Sequence, residues 1–232
     1  MAIAAKLNIA NPDRRVKKRV MSETSAATHG HARRTRSEMD IVAAARRLFL
    51  DQGYEAVSID DIAKVAGVAR QTVFNRFKSK DAVFRAMVEN HWERWGNSAA
   101  VRAVSHDDPV EDHLRAIAQG IEAFQKDPDQ IKFQRLVVGE SRRLDWIGPA
   151  AHRAGKGPRM LALADHFARL HAEGRLSCPN PAIAAWQFVG LVQEFLVWPQ
   201  VMDIGDAAQE LPAADVVIAV AIRTFLARYG AR

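Results

Sequence analysis

Apolar residues recur every three to four positions along most of this chain, which is the spacing of helices that bury one face. The pattern is clearest over residues 58–80, which read SIDDIAKVAGVARQTVFNRFKSK and predict two short helices joined by a tight turn. Ser58 and Asp61 are spaced as a capping box, and Gly67 is placed to end the first helix. The expected buried stripes are Ile62, Ala63 and Ala66 in the first helix, and Val68, Val73 and Phe77 in the second.

A third helix is predicted immediately before this pair, over residues 37–52. Ser37 and Asp40 are spaced to cap its start, and Gly53 is placed to end it. Three short helices around one small core are typical of a helix–turn–helix module, which places the second helix of the pair in the DNA major groove. Two helices joined by a glycine also occur in helical proteins that do not bind DNA, so the pattern alone leaves both alternatives open.

The second helix of the pair carries outward side chains of the kinds that read DNA. An arginine such as Arg70 can bind guanine, and amides such as Gln71 and Asn75 can bind adenine. Phe74 can pack against a thymine methyl group or the sugar backbone, whereas Thr72 and Lys80 are predicted to contact phosphate. The predicted DNA-binding residues are Arg70, Gln71, Thr72, Phe74, Asn75 and Lys80.

Residues 36–84 resemble the DNA-binding domain of the TetR family, the tetracycline-repressor-like regulators. The residues that carry the resemblance are Ile41, Ala44, Ala45, Leu48, Phe49, Gly53, Tyr54, Ser58, Asp61, Ile62, Ala63, Ala66, Gly67, Val68, Thr72, Phe74, Phe77, Ser79 and Lys80. The resemblance implies an all-helical, homodimeric transcription factor that responds to a ligand. Phe74 stands where the family often has tyrosine, and Asn75-Arg76 replaces a frequent aromatic or histidine pair, so the operator sequence is left open.

Proline-containing pairs mark further helix starts and ends in the rest of the chain. A helix over residues 79–104 is followed by start signals at Asp108-Pro109 and Asp127-Pro128. The helix that begins at Asp127-Pro128 is expected to end near Trp146, before Gly148-Pro149. Later helices are predicted over residues 157–173, over 181–198 with Pro199 as its end, and from Leu211-Pro212 onwards. The chain is therefore predicted to be all-α.

Three regions are predicted from this pattern and from the resemblance. Residues 1–36 form a disordered basic tail, residues 37–84 a helix–turn–helix DNA-binding domain, and residues 85–232 a helical ligand-binding and dimerisation domain. The basic tail could lie along phosphate or in the minor groove, although Met21 is an alternative start of the protein. The helix over 79–104 joins the two domains, so any ligand signal is expected to pass through it.

The resemblance also implies a small-molecule pocket among the middle helices. Glu140 interrupts an apolar stripe and needs a partner, for which Arg143, Arg142 and His113 are the candidates. The predicted ligand-binding residues are His113, Phe124, Phe133, Glu140, Arg143, Trp146 and His166. The alternative is that the polar residues are satisfied core groups and that the aromatic residues are ordinary core.

The last two predicted helices are so apolar that they are not expected to expose a face to solvent. They resemble the pair of helices through which TetR-family subunits form a four-helix bundle, so a homodimer is predicted. Ala184, Ala185 and Gly190 would allow close approach of the helices, and residues 134–198 resemble the AefR-like branch of the family. The alternative is a monomer that buries both helices internally.

The positive charge is concentrated with the helix–turn–helix. The whole chain has a formal net charge of +6, and residues 1–95 carry 18 basic against 11 acidic side chains, or +7. The remainder carries 15 against 16, or −1, so the basic excess lies where attraction to DNA requires it. A single cysteine, Cys178, excludes an internal disulfide and is consistent with a reducing cytoplasm.

Other function classes find little support in the sequence. It contains no metal-binding His-Glu-x-x-His helix, no phosphate-binding glycine loop leading into Lys-Ser/Thr, and no nucleophile elbow, so no catalytic residue, metal or cofactor is predicted. No apolar run is long enough to cross a membrane, and the N-terminus lacks a signal-peptide pattern. The prediction is a cytoplasmic repressor that binds a palindromic operator in double-stranded DNA as a homodimer and is released by an unknown small-molecule effector. A non-specific architectural DNA-binding protein and an enzyme are the alternatives.

Overall fold

The structure is a computed structural model that describes residues 35–96 and 105–231. The predicted basic tail, apart from its last two residues, and the end of the helix predicted over 79–104 lie outside the described residues. In the described part, the regular secondary structure is helical, apart from one isolated β-bridge between Leu176 and Gly230. The predicted all-α fold class is therefore confirmed.

Eleven α-helices are described. They are α1 (Arg36–Gln52), α2 (Ile59–Ala66), α3 (Arg70–Phe77), α4 (Lys80–Gly96), α5 (Val110–Gln125), α6 (Pro128–Glu140), α7 (Ile147–Ala151), α8 (Gly157–Ala172), α9 (Pro181–Leu196), α10 (Trp198–Met202) and α11 (Ala214–Tyr229). A π-helical turn, His152–Lys156, joins α7 to α8, and a 3₁₀ turn, Gly205–Glu210, precedes α11.

The predicted start and end of α2 are confirmed. The Ser58 hydroxyl accepts from the Asp61 backbone N–H at 3.1 Å, and the Asp61 carboxylate accepts from the Ser58 backbone N–H at 2.9 Å. Gly67 ends the helix with a φ of +67°, a left-handed conformation that glycine adopts without steric cost. The start signal at Asp127-Pro128 is confirmed as well, because Asp127 caps α6 through its side chain, and Asn180 caps α9 in the same way.

Two predicted helix starts are wrong. Ser37 does not cap α1, because the helix already includes Arg36 and the buried Ser37 hydroxyl has no hydrogen-bond partner among the described residues. At the start of α5 the N-cap is Pro109 rather than Asp108, whose carboxylate instead accepts from the Ser105 backbone N–H at 2.8 Å.

The predicted boundaries around several prolines are also wrong. Helix α6 ends at Glu140, and Gly148-Pro149 lies inside α7 rather than after a helix. Pro199 lies in the first turn of α10, and α11 begins at Ala214 rather than at Leu211-Pro212. Proline is tolerated in the first turn of a helix because the N–H that it lacks would have no partner there, so the same residue can follow one helix and begin the next.

Two apolar clusters hold the helices together. The first joins α1–α4 to buried residues of α5, α6 and α7, including Phe124, Phe133 and Ile147. The second joins α5, α8, α9 and α11 around Phe167, Phe188 and Phe225. The core around the helix–turn–helix therefore continues without a break into helices of the following region.

A buried histidine lies inside the first cluster. His91 on α4 is 1% exposed, stacks on Phe133 with ring centroids 3.6 Å apart, and makes a 2.8 Å hydrogen bond with Gln130. Burial disfavours the charged imidazolium and lowers the pKa of His91 to about 4. The neutral ring is therefore the form that this core accommodates.

This buried ring predicts that acid destabilises the protein. The His91 pKa falls from an ordinary value of 6.5 to about 4 on folding, so between those pH values the unfolded chain binds more protons. The free energy of unfolding should therefore fall as the pH is lowered from 6.5 to 4, by about 3 kcal/mol for this residue. Urea denaturation of wild type and His91→Gln at several pH values checks this. The variant should have the shallower pH dependence, and parallel curves would contradict the assignment.

Candidate DNA-binding surface and ligand cavity

Helix α3 is anchored on one side and open on the other. Val73 is fully buried and fixes the helix against α2, whereas Arg70, Gln71 and Asn75 are exposed and Phe74 is 48% exposed. Thr72 is half-buried, and its backbone N–H donates to the Ala69 carbonyl at 2.8 Å. The residues predicted to read bases thus share the free side of a helix whose position is set by its buried side.

The exposed polar side chains of α3 already interact with one another and with α2. The Gln71 amide donates to the Asn75 amide oxygen at 2.8 Å, which holds the two predicted adenine-reading groups together. Arg70 forms an ion pair with Asp60 at 2.9 Å, and both side chains remain largely exposed. Exposed pairs of this kind are weak, so they can orient Arg70 without preventing it from binding a base.

Lys80 is held by contacts within the domain. Its ammonium donates to the backbone carbonyls of Tyr54 at 2.9 Å and Glu55 at 3.3 Å, and it lies 4.2 Å from the centroid of the Tyr54 ring. These contacts fix the connection between α1 and α2 against the start of α4. The structure gives Lys80 a role inside the domain, and its contact with phosphate stays a prediction.

Tyr54 joins the DNA-binding helices to the segment after α6. Its hydroxyl donates to the Asp81 carboxylate, and burial together with Asp81 raises its pKa. The Arg143 guanidinium lies 4.6 Å from the Tyr54 ring centroid and pairs with Glu55 at 2.5 Å and with Glu140 at 2.7 Å. Arg143 is therefore the partner that Glu140 was expected to need, but both lie at this junction and not in a ligand pocket.

Three further predicted ligand-binding residues also lie elsewhere. Trp146 packs edge-on against Phe84, with the Arg85 guanidinium 4.0 Å from its ring centroid. His113 and His166 lie against each other, with His113 Nδ1 and His166 Nε2 separated by 3.0 Å. None of the three lines the cavity described below, and their role in ligand binding stays a prediction.

The two histidines form a hydrogen-bonded pair. His113 Nε2 donates to the Asp108 carbonyl at 3.1 Å, so its Nδ1 accepts from His166 Nε2. Burial and the neighbouring His113 lower the pKa of His166 to about 4. In the described part of the chain no group of three histidine, cysteine, aspartate or glutamate side chains is arranged to hold a metal ion.

A cavity of about 610 Å³ lies among the middle helices. Phe124 and Phe133, both predicted to bind ligand, line it together with Trp92, Trp198 and aliphatic side chains. Its polar side chains are Gln134, His152, Lys156, Arg159 and Gln193. This volume is in the range of sites that bind drug-sized molecules.

The lysine and arginine of this wall are the functional candidates that the sequence reasoning missed. The Arg159 guanidinium lies 5.3 Å from the Trp92 ring centroid and 6.0 Å from that of Phe124, and Lys156 Nζ lies 4.5 Å from that of Trp186. Burial lowers the pKa of both cations. The sequence feature that could have indicated them is their spacing of three residues next to the apolar stripe of α8, which puts both side chains on one helix face.

Helix α6 connects the cavity to the DNA-binding helices. Phe133 and Val137 line the cavity, while Asp129 pairs with Arg46 at 2.7 Å and Lys132 pairs with Asp51 at 2.5 Å on α1. Helix α4 provides a second connection, since its Trp92 lines the cavity. A Cβ atom added to Gly155 would lie 2.5 Å from Trp92 Cδ2, so this glycine is what allows the π-helical turn to reach the ring.

An anchored helix with exposed base-reading side chains, joined to a helical domain with a cavity, defines a helix–turn–helix transcriptional regulator. The family comparisons agree: residues 41–87 match the model described as "Bacterial regulatory proteins, tetR family". Residues 112–231 match the model described as "AefR-like transcriptional repressor, C-terminal domain". The chain belongs to the TetR family of bacterial transcriptional regulators, and both predicted resemblances are confirmed.

Individual relatives match over different shares of the chain. EthR of Mycolicibacterium smegmatis is 37% identical over 87 residues, which are 38% of this chain and 39% of that protein. TtgR of Pseudomonas putida is 25% identical over 186 residues, which are 76% of this chain and 87% of that protein. The chain spans less than half the length of the first curated relatives that it matches.

Solved structures match over most of the chain. A TetR-family regulator from Mesorhizobium loti has a TM-score of 0.72 at 24% identity, covering 85% of this chain and 100% of its own. The flavonoid-responsive regulator FrrA has a TM-score of 0.67 at 27% identity, covering 85% and 98%. The alternative that the chain is an enzyme is not supported, because the chain belongs to a family of transcriptional regulators. None of the described helices is long and apolar enough to span a membrane.

Proposed function

We propose that this regulator is a repressor that binds a palindromic operator as a homodimer and is released by a small molecule. The observation that carries the proposal is the position of α6, which lines the cavity and is ion-paired to α1 of the DNA-binding region. The match of residues 112–231 to a repressor C-terminal domain supports repression. Within this proposal residues 37–84 are the DNA-binding domain and residues 85–232 the ligand-binding and dimerisation domain.

Reading of the operator is assigned to α3. Arg70, Gln71 and Asn75 supply the hydrogen bonds to bases, and Phe74 the apolar contact with a thymine methyl group or a sugar. Thr72 contacts the phosphate backbone and sets the register of the helix. Two copies of α3 about 34–36 Å apart would fit successive major grooves on one side of the duplex.

The homodimer is assigned to exposed apolar side chains on α9 and α11. Ile183 is 51% exposed on α9, and Val216 and Val220 are 50% and 44% exposed on α11. Val216 and Val220 are four residues apart and share one helix face, so they form a strip and not scattered positions. A second copy of this chain that packs on the strip would remove it from water.

Negative charge introduced into the apolar strip of α11 should prevent formation of this dimer. The double substitution Val216→Glu with Val220→Glu places like charges on both faces of the two-fold interface, and we expect sedimentation to give a folded monomer where the wild type gives a dimer. Met39→Glu is the control, because Met39 is 54% exposed but lies on α1. A wild-type monomer, or a double variant that remains dimeric, would contradict the assignment to these helices.

Release by a ligand follows as a shift between two populations. A molecule that fills the cavity presses on Phe133 and Val137 of α6 and on Trp92 of α4, and both helices contact the DNA-binding region. The ligand is proposed to bind more tightly to a form of the dimer in which the two α3 helices have a different spacing. It then lowers operator affinity by at most the ratio of its own affinities for the two forms. FrrA is named as flavonoid-responsive, and an aromatic effector of that kind suits the aromatic wall formed by Trp92, Phe124 and Phe133.

The test begins with the operator. Bound duplexes are selected from fragments of a bacterial genome and are footprinted at one fixed salt concentration. A protected inverted repeat that overlaps a promoter supports a dimeric repressor, and loss of protection when an effector is added supports release. Protection without a preferred sequence would favour the architectural alternative, and equal operator affinity with and without a bound effector would overturn ligand release.

A further inference from the structure

The wall of the cavity has an excess of positive charge. Lys156 and Arg159 line it, and among the described residues its wall includes no aspartate or glutamate. Neither cation forms a salt bridge with any described residue. Partly buried cations are ordinarily paired with an acid. The described residues supply no such acid here, so a bound anion could take its place.

Two hydrogen-bond donors of the same wall are also unsatisfied. Arg159 Nη2 and Trp92 Nε1 are buried from solvent, and neither has a hydrogen-bond partner in the part of the chain that the structure describes. The two residues are neighbours, since the Arg159 guanidinium lies 5.3 Å from the Trp92 ring centroid. Buried donors without acceptors are rare in folded proteins, and each one calls for an explanation such as a bound group.

We propose that this cavity binds an organic anion with an apolar body, and that Arg159 receives its carboxylate. The inference rests on the proposed ligand-responsive function and names the chemical class of the effector. A carboxylate supplies the acceptors that Arg159 Nη2 and Trp92 Nε1 lack, and it can bind the arginine fork through two oxygens. The apolar body lies against Phe124, Phe133 and the aliphatic side chains of α5 and α6.

Lys156 adds to the attraction without being the principal partner. It lies three residues before Arg159, on the same side of the chain, and burial lowers its pKa. Its ammonium is 4.5 Å from the centroid of Trp186, a residue that is 45% exposed. Lys156 therefore raises the local potential from a more open position, while Arg159 makes the direct contact.

A neutral ligand is the competing possibility. Stacking of the Arg159 guanidinium on Trp92 and Phe124 already stabilises the charge in part. If that stacking is sufficient, the cavity needs only an apolar molecule and will not distinguish an acid from its amide. The two possibilities differ in one measurable quantity, the affinity ratio of an acid and the carboxamide of the same shape.

The experiment measures this ratio with two matched pairs of probes on the full-length protein. The pairs are biphenyl-4-carboxylate with biphenyl-4-carboxamide, and octanoate with octanamide, titrated by calorimetry at neutral pH. We expect at least one acid to bind about tenfold to hundredfold more tightly than its amide, as a charge-assisted hydrogen bond provides. Equal binding of acid and amide, or no binding of any of the four probes, would overturn the proposal.

A substitution locates the effect at Arg159. Arg159→Met keeps a long apolar side chain against Trp92 and Phe124 but removes the charge, so the preference for the acid should disappear while the amide still binds. Arg169→Met is the matched control, because Arg169 is an exposed residue on α8 that does not line the cavity. A preference for the acid that survives in Arg159→Met would overturn the role of this residue.

These results are distinguishable from failure of the proposed function. Acid-selective binding that depends on Arg159, in a protein that protects no operator, would leave the anion site in place and remove the regulator mechanism. An operator that is released by a neutral compound, with no preference for either acid, would leave the repressor mechanism in place and overturn the anion site.

Discussion

Replacing Phe84 by alanine is expected to lower the free energy of unfolding by about 3–5 kcal/mol. Phe84 on α4 is fully buried, and its ring centroid lies 4.9 Å from those of both Phe49 and Tyr54 and 5.7 Å from that of Trp146. Alanine removes the apolar contacts and leaves a cavity where α1, α4 and the segment before α7 meet. Urea denaturation followed by circular dichroism measures the loss.

Phe74→Ala provides the control for this result. Phe74 is 48% exposed on the free side of α3, so its removal should change the free energy of unfolding by about 0.5 kcal/mol or less. Because Phe74 is proposed to touch DNA, the same variant should bind the operator more weakly. Equal destabilisation by the two substitutions would show that Phe84 does not hold the junction as the structure places it.

Replacing Gln71 by alanine should cost about 1–3 kcal/mol of operator binding at one base position and relax the sequence preference there. Gln71 is exposed on the first turn of α3, and its amide is oriented by the 2.8 Å hydrogen bond to Asn75. The variant loses both a base contact and the group that orients Asn75. Affinity for operators changed at each position in turn, measured at one salt concentration, gives the profile.

Gln119→Ala is the matched control for Gln71, since Gln119 is an exposed residue of α5 outside the helix–turn–helix. It should leave the affinity profile unchanged. An equal loss of affinity on every sequence, with no position relaxed, would show that Gln71 contacts the DNA backbone and would move the reading of adenine to Asn75.

Helix boundaries were predictable wherever the signal is a contact between near neighbours in the chain. Ser58 and Asp61 cap α2 as expected, and Gly67 ends it, because a cap involves only residues within one turn. The prolines at 149 and 199 misled the prediction, since a proline can either follow a helix or occupy its first turn. Which of the two occurs depends on how the flanking helices pack.

The ligand site shows where sequence patterns stop being informative. Phe124 and Phe133 were predicted and line the cavity, as apolar faces of middle helices do. Glu140 interrupts its stripe as expected, yet its side chain pairs with Arg143 beside Tyr54 instead of facing the cavity. A periodic pattern tells which face of a helix is buried but not which neighbour covers that face.

The sequence by itself determined the all-α class, the helix–turn–helix, the outward side of α3 and the concentration of positive charge with the DNA-binding region. All four depend on local spacing or on composition, which the chain carries wherever it folds. Only the tertiary structure decided that Trp92, Lys156 and Arg159 share one cavity wall and that α6 pairs with α1. Those relations join residues more than 60 positions apart, as Trp92 and Lys156 are, and they arise only when helices pack side by side.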